Sequence, residues 1–134
     1  MTRISSQTRR QVRQRAGGRC EYCGKPEAFS AQSHHVDHIV SQKHNGTDAP
    51  DNLAWACFQC NLCKGSDIAS LDRLTGDLTP LFNPRTQVWL EHFSYEGPVI
   101  VAKTATGRVT LDLLQINHPD QIETRRLLMD ADLW

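Results

Sequence analysis

Two Cys-x2-Cys pairs, Cys20/Cys23 and Cys57/Cys60, constrain this chain more than any other feature. Each pair aims two sulfurs at one point, and residues 24–56 must fold so that the two points coincide. Four thiolates close a tetrahedral shell, the arrangement of structural zinc; catalytic zinc keeps a position open. In a chain of 134 residues the core is not deep, and a zinc staple weighs heavily against it. Zinc binding in small peptides of this kind is worth roughly 10–16 kcal/mol at neutral pH. Ordinary buried thiols are the plainer alternative, common singly but uncommon as two knuckles. A fifth cysteine complicates the second pair, because "WACFQCNLCKG" (residues 55–65) sets Cys57, Cys60 and Cys63 three apart. Pairing Cys60 with Cys63 would leave Cys57 unused and tie the metal inside a helix. The expected zinc ligands are therefore Cys20, Cys23, Cys57 and Cys60, with Cys63 a spare thiol.

Other bulk features fit a soluble protein of a reducing compartment. No apolar run approaches the roughly 18 residues of a membrane span, and the basic N-terminus "MTRISSQTRRQVRQRAGG" lacks the apolar stretch of a secretory signal. A cytoplasmic location is expected, where paired cysteines bind metal more often than they form disulfides. Formal net charge is zero, but unevenly spread. Residues 1–25 carry seven bases (Arg3, Arg9, Arg10, Arg13, Arg15, Arg19, Lys25) against Glu21, a balance of +6. Residues 26–134 carry eight bases and fourteen acids, a balance of −6. A basic head on an acidic chain points to a polyanionic partner; the plain alternative is a solvated helix face.

The pattern predicts a single α+β domain over 1–134: a basic helix within 1–19, a zinc-stapled core over 20–70 and an accessory extension over 71–134. "SSQTRRQVRQRA" (5–16) is helix-forming and ends at Gly17-Gly18. "SHHVDHIV" (33–40) alternates as a strand, with Val36, His38 and Val40 on one side and His35, Asp37 and Ile39 on the other. "KHNGTDAPDN" is turn-rich, "LAWAC" is a second strand, and a helix is expected after Cys60. Beyond these, "TGDLTPLFNP" reads as loop, and a short helix capped by Asn83 runs to about Phe93. "VIVAKT" (99–104) reads as strand; in "TGRVTLDLLQIN" Val109, Leu113 and Ile116 fit a helix while Val109, Leu111 and Leu113 fit a strand, and the helix is the favoured reading. A last helix opens at Asn117 and Pro119, with Ile122, Leu127 and Leu128 available for packing.

Between the knuckles lie Asp37, His38 and Asn52, and Asn61 follows directly after Cys60. Singly each is weak: an Asn in a turn is usually a cap or an Asx turn. Together, in "HHVDHIVSQKHNGTDAPDNLAWACFQCNLCKG" (34–65) with "CEYCG" upstream, they resemble the HNH endonuclease family in its zinc-bearing form. The resemblance extends to "LFNPRTQVWLEHF" and "TATGRVTLDLLQIN", which look like the tail of one bacterial group of these proteins. It implies a small ββα-metal, treble-clef-like core and a metal-dependent DNA endonuclease of bacterial or phage type. His38 matches the family's first histidine, the general base, since an imidazole can take a proton from water near neutral pH. Asp37 and Asn61 would ligate a catalytic cation, with Asn61 standing where the last histidine is usual. Their oxygens suit Mg²⁺ or Mn²⁺ more than a soft metal. Asn52, the middle Asn, would pin the loop between the strands rather than bind metal. His35 shares a face with Asp37 and could assist at phosphate or metal, or be an ordinary strand histidine. His34 and His44 read as solvated.

Arg9, Arg10, Arg13 and Arg15, with Lys64, are the expected nucleic-acid contacts; such contacts give affinity without sequence information. With no base-reading module in view, specificity is absent, hidden, or supplied by a protein partner. A zinc-stapled DNA-binding module without catalysis is the alternative, and a ribonuclease or effector nuclease ranks below it.

Overall fold

The computed structural model describes residues 4–134, so Arg3 of the basic head lies outside the described residues. The chain is mixed α+β and divides into two compact units at Asp67/Ile68.

In the first unit, α1 (Ser6–Arg15) starts where Ser5 Oγ accepts the Thr8 backbone N–H at 3.1 Å. It stops at Gly17 and Gly18, whose φ angles of 65° and 69° would strain any side chain. Val12 is the one buried residue of the helix; it packs on Leu53 and Trp55, with Ile4, Ala16 and Val36 around them. So small an apolar contact is supplemented by arginines. Arg15 donates to the carbonyls of Pro50 (2.9 Å) and Leu53 (2.6 Å). Arg9 donates to the His34 carbonyl at 3.1 Å with its guanidinium 5.0 Å from the Trp55 ring centre.

Strands β1 (His35–His38) and β2 (Leu53–Ala56) pair antiparallel, with Asp37 opposite Ala54 and His38 opposite Leu53. Every β2 residue is buried. On β1, partly buried Val36 packs against the Val12 cluster, while Asp37, and Ile39 just past the strand, are buried. A carboxylate therefore sits in the interior. The connection over 39–52 folds back so closely that a Cβ on Gly46 would lie 1.6 Å from the Val40 carbonyl oxygen. Helix α2 (Phe58–Lys64) follows β2 almost at once, opening before Cys60 rather than after it. The reason is local: Cys57 Sγ accepts the Cys60 N–H at 3.4 Å and serves as the N-cap. Among the described residues, no helix is long and apolar enough to cross a membrane.

The second unit holds two antiparallel hairpins, β3 (Ala69–Leu71) with β4 (Leu78–Pro80), and, beyond the single-turn α3 (Trp89–His92), β5 (Phe93–Glu96) with β6 (Val99–Ala102). Helices α4 (Ala105–Leu113) and α5 (Pro119–Asp130) follow. Leu81, Phe82, Phe93, Ile100, Val109, Leu114 and Ile116 are its buried apolar residues. Two expectations fail here. The segment read as loop contains β4, and the helix expected from an Asn83 cap to about Phe93 forms only as the single turn Trp89–His92, with turns over residues 84–86 in place of its first half. Helix α5 also packs unexpectedly: its buried residue is Arg125, which donates to the carbonyls of Pro98 and Ile116 and to Asn117 Oδ1, while Leu127 is 55% exposed.

The turn between β3 and β4 is built on buried Asp72, which accepts the Leu74 N–H and the Thr75 hydroxyl and a two-pronged contact from Arg108 at 2.9 Å per prong. The Arg108 guanidinium holds the Asp72 carboxyl well below the usual carboxylate range. A carboxyl depressed in the folded state stabilises fully above its unfolded value of about 3.9, and that contribution is lost as pH falls through the folded value. Asp72→Asn is thus expected to lower the unfolding midpoint at pH 7, with the gap to wild type closing below about pH 4. Calorimetry from pH 7 to 3 measures it; a gap that stays constant with pH would contradict the assignment.

Candidate functional site

The two knuckles are built alike. In the first, the Cys23 N–H reaches Cys20 Sγ at 3.4 Å and the Gly24 N–H closes on the Cys20 carbonyl at 2.8 Å. In the second, the Cys60 N–H reaches Cys57 Sγ at the same 3.4 Å. The four sulfurs are buried and lie within 4.8 Å of one another, with Cys23 and Cys57 Sγ 3.8 Å apart. A tetrahedral zinc with bonds of about 2.3 Å sets sulfur–sulfur edges of about 3.8 Å. The cluster therefore has the donor chemistry and spacing to hold zinc. Hydrogen bonds from Cys20, Cys23 and Cys60 push the Cys57 thiol far down. Burial raises Cys20, and the neighbouring sulfurs raise Cys60. Cys63 is outside the cluster, which decides the pairing in favour of Cys57 with Cys60. Helical spacing explains it: Cys57, Cys60, Asn61 and Lys64 fall on one stripe of α2, at i, i+3, i+4 and i+7, and Cys63 does not.

Asp37 lies at the end of that stripe's reach. It is 4% exposed, and both its oxygens are engaged. Tyr22, inside the first knuckle, donates its hydroxyl to Oδ2 at 2.7 Å. Lys64, at the end of α2, places Nζ 3.3 Å from Oδ1 and 3.0 Å from the His38 carbonyl. Burial pushes the Asp37 carboxyl up, and the Lys64 ammonium opposes that shift. Burial and the Asp37 charge push the Tyr22 phenol up, which keeps it a donor. Lys64 is 2% exposed and faces the interior, not solvent where a phosphate would meet it.

His38 is a quarter exposed and carries its Nε2 2.7 Å from Asp48 Oδ1, which also accepts from Gln42 at 3.2 Å. Sequence reasoning missed Asp48; its one signal was an acid in the loop that returns toward His38. Asn52 bonds the loop three times: Oδ1 accepts the Val40 N–H at 2.9 Å, and Nδ2 donates to the Val40 and Thr47 carbonyls at 2.9 and 2.7 Å. Asn61 is half-buried on α2, with its N–H on the Cys57 carbonyl. His35 is half-buried with its ring 6.2 Å from Phe58. His34, read as solvated, is fully buried: its Nε2 lies 2.9 Å from the Lys25 carbonyl oxygen, beside Trp55. His44 is exposed.

The basic helix is largely committed to the fold. Arg9 and Arg15 hold the strands as described, and Arg13 pairs with Glu27, while Arg10 is exposed. Arg9, Arg13, His34 and Trp55 also line a polar cleft of about 350 Å³.

Residues 20–67 match the family model described as HNH endonuclease, and this stretch carries the geometry above from Cys20 to Lys64. No curated protein and no solved structure matches the chain. The family points to nuclease or DNA-binding activity, and the four-cysteine cluster to metal binding.

Proposed function

We propose that this HNH-matching segment, within one nuclease domain spanning the chain, is a metal-dependent DNA endonuclease with a structural zinc at Cys20, Cys23, Cys57 and Cys60. The observation that carries the reading is the His38–Asp48 pair, beside Asp37 on the same strand. If Nε2–H donates to Asp48, the ring presents Nδ1 as the base that takes a proton from the attacking water. Asp48 then faces the ring with a negative charge as the ring gains its proton, and it fixes the ring's orientation. Asn52 acts one step back, since its three bonds fix the loop that carries Asp48.

Asp37 and Asn61 would hold Mg²⁺ or Mn²⁺. The donors fit a hard cation, being one carboxylate and one amide oxygen. A carboxylate has about four lone-pair sites, of which Tyr22 and Lys64 take two. Bound there, a divalent cation supplies positive charge to the phosphate and to the leaving oxygen. His35, half-exposed near this site, is available to a phosphate. Arg10, with the outer faces of Arg9, Arg13 and Arg15, would meet the DNA backbone. Lys64 contributes its charge from beneath the site, through Asp37.

The test is supercoiled plasmid incubated with the zinc-loaded protein and a series of divalent ions. Relaxation with Mg²⁺ or Mn²⁺ that stops on adding EDTA supports the proposal. One observation favours a second reading, a DNA-binding module without catalysis: Asp37 is closed in by Tyr22 and Lys64. DNA binding with intact plasmid under every ion would establish that reading instead.

A further inference from the structure

We propose that Tyr22 is a positioning residue that ties the four-cysteine cluster to the Asp37 carboxylate; the inference rests on the divalent site proposed above. Tyr22 stands between two zinc-ligand candidates, Cys20 and Cys23, and is fully buried. Its neighbour Glu21 docks the knuckle on β2, with its N–H on the Trp55 carbonyl at 2.8 Å and its Oε1 accepting the Trp55 N–H at 2.9 Å. Glu21 thus anchors the chain before Tyr22 and the Cys23 N–H on Cys20 Sγ anchors it after, and the Tyr22 hydroxyl reaches Asp37 Oδ2 at 2.7 Å. The other oxygen, Oδ1, is held by Lys64, whose helix opens at Cys57.

Both limbs that grip the carboxylate therefore start at the cluster, one at Cys20–Cys23 and the other at Cys57–Cys60. The cluster fixes where these limbs begin, and Tyr22 turns that fixity into a single carboxylate orientation. Burial adds consequence, because an Asp37 released by Tyr22 has little solvent to replace the lost bond. Partners of this kind typically set metal affinity by about 10–100-fold.

Tyr22→Phe removes the hydroxyl and keeps the ring that fills the core. In the full-length, zinc-loaded protein it should retain its zinc and its fold while its Mn²⁺ dissociation constant, read by electron paramagnetic resonance of free Mn²⁺, rises about 10–100-fold. Nicking should fall at low Mn²⁺ and recover at saturating Mn²⁺, a split that general loosening would not produce. In an Asp37→Asn background the same substitution should change Mn²⁺ binding little, because the two act through one contact. A folded, zinc-loaded Tyr22→Phe protein with unchanged Mn²⁺ affinity overturns the role of Tyr22 and leaves the endonuclease reading standing. Wild-type protein that takes up no Mn²⁺ overturns both.

A wild-type measurement covers the case in which the variant does not fold. The chain has two tyrosines, so ring-labelled tyrosine gives two sets of signals, which Tyr95→Phe assigns. Mn²⁺ should broaden the Tyr22 signal and Mg²⁺ should shift it; a Tyr22 signal unmoved by either ion overturns the proposal.

Discussion

Cys20→Ser is expected to abolish zinc retention and to unfold the β1–β2 hairpin with its flanking helices. Competing magnitudes decide this. The apolar cluster that joins α1 to the hairpin consists of Val12, Leu53 and Trp55 with three partly buried neighbours, and much of the remaining buried surface is the cluster of sulfurs itself. Domains are stable by about 5–15 kcal/mol in total, and structural zinc contributes about 10–16 kcal/mol of apparent binding free energy at neutral pH. Losing one of four ligands removes a large part of that and leaves three thiols buried with one another. Zinc should be near one per chain in wild type by elemental analysis and near zero in Cys20→Ser. Hydrogen exchange of the β1 and β2 amides should accelerate from protected to nearly free. Cys63→Ser is the matched control: its thiol lies outside the cluster, and zinc and protection should both persist. Zinc lost from Cys63→Ser and kept by Cys20→Ser would mean that the metal lies elsewhere.

Legibility in the sequence followed how local the signal was. The cysteine cluster was readable because a Cys-x2-Cys turn is a local device, and two of them need only a chain that closes between them. Helix α1 was readable from its composition and its terminal glycines. What its arginines do was not, because Arg15 meets the Pro50 and Leu53 carbonyls only once the hairpin is folded beside it. A run of arginines looks the same in sequence whether it faces phosphate or backbone carbonyls. The same gap hid Asp48, Tyr22 and the inward turn of Lys64, each of which acts on a residue at least ten positions away. In the second unit the missed β5 did have a local signal: "FSYE" alternates, and Gly97-Pro98 then leads into "VIV", a hairpin pattern outweighed by the helix-forming residues before it. No comparable signal marked Arg125, whose burial depends on carbonyls brought to it by the fold.

His38→Ala carries the largest expected effect on activity. General-base catalysis by a positioned side chain is worth roughly 10²–10⁴-fold, or about 3–5.5 kcal/mol of barrier. His38 is a quarter exposed and holds no zinc, so its truncation removes one bond to Asp48 and leaves the hairpin register and the cysteine cluster in place. Single-turnover nicking should fall by that factor, with zinc content, thermal midpoint and DNA affinity close to wild type. Asp48→Asn separates orientation from proton transfer. It keeps an oxygen for Nε2–H and removes the charge that faces the ring, so its loss should be smaller than that of His38→Ala. The double variant should be no slower than His38→Ala, because without the ring Asp48 has nothing to orient. If Asp48→Asn in the His38→Ala background slows nicking further, Asp48 acts on the substrate or the metal directly and the pair is not a unit. If His38→Ala nicks as fast as wild type, the base lies elsewhere and the assignment of His38 fails.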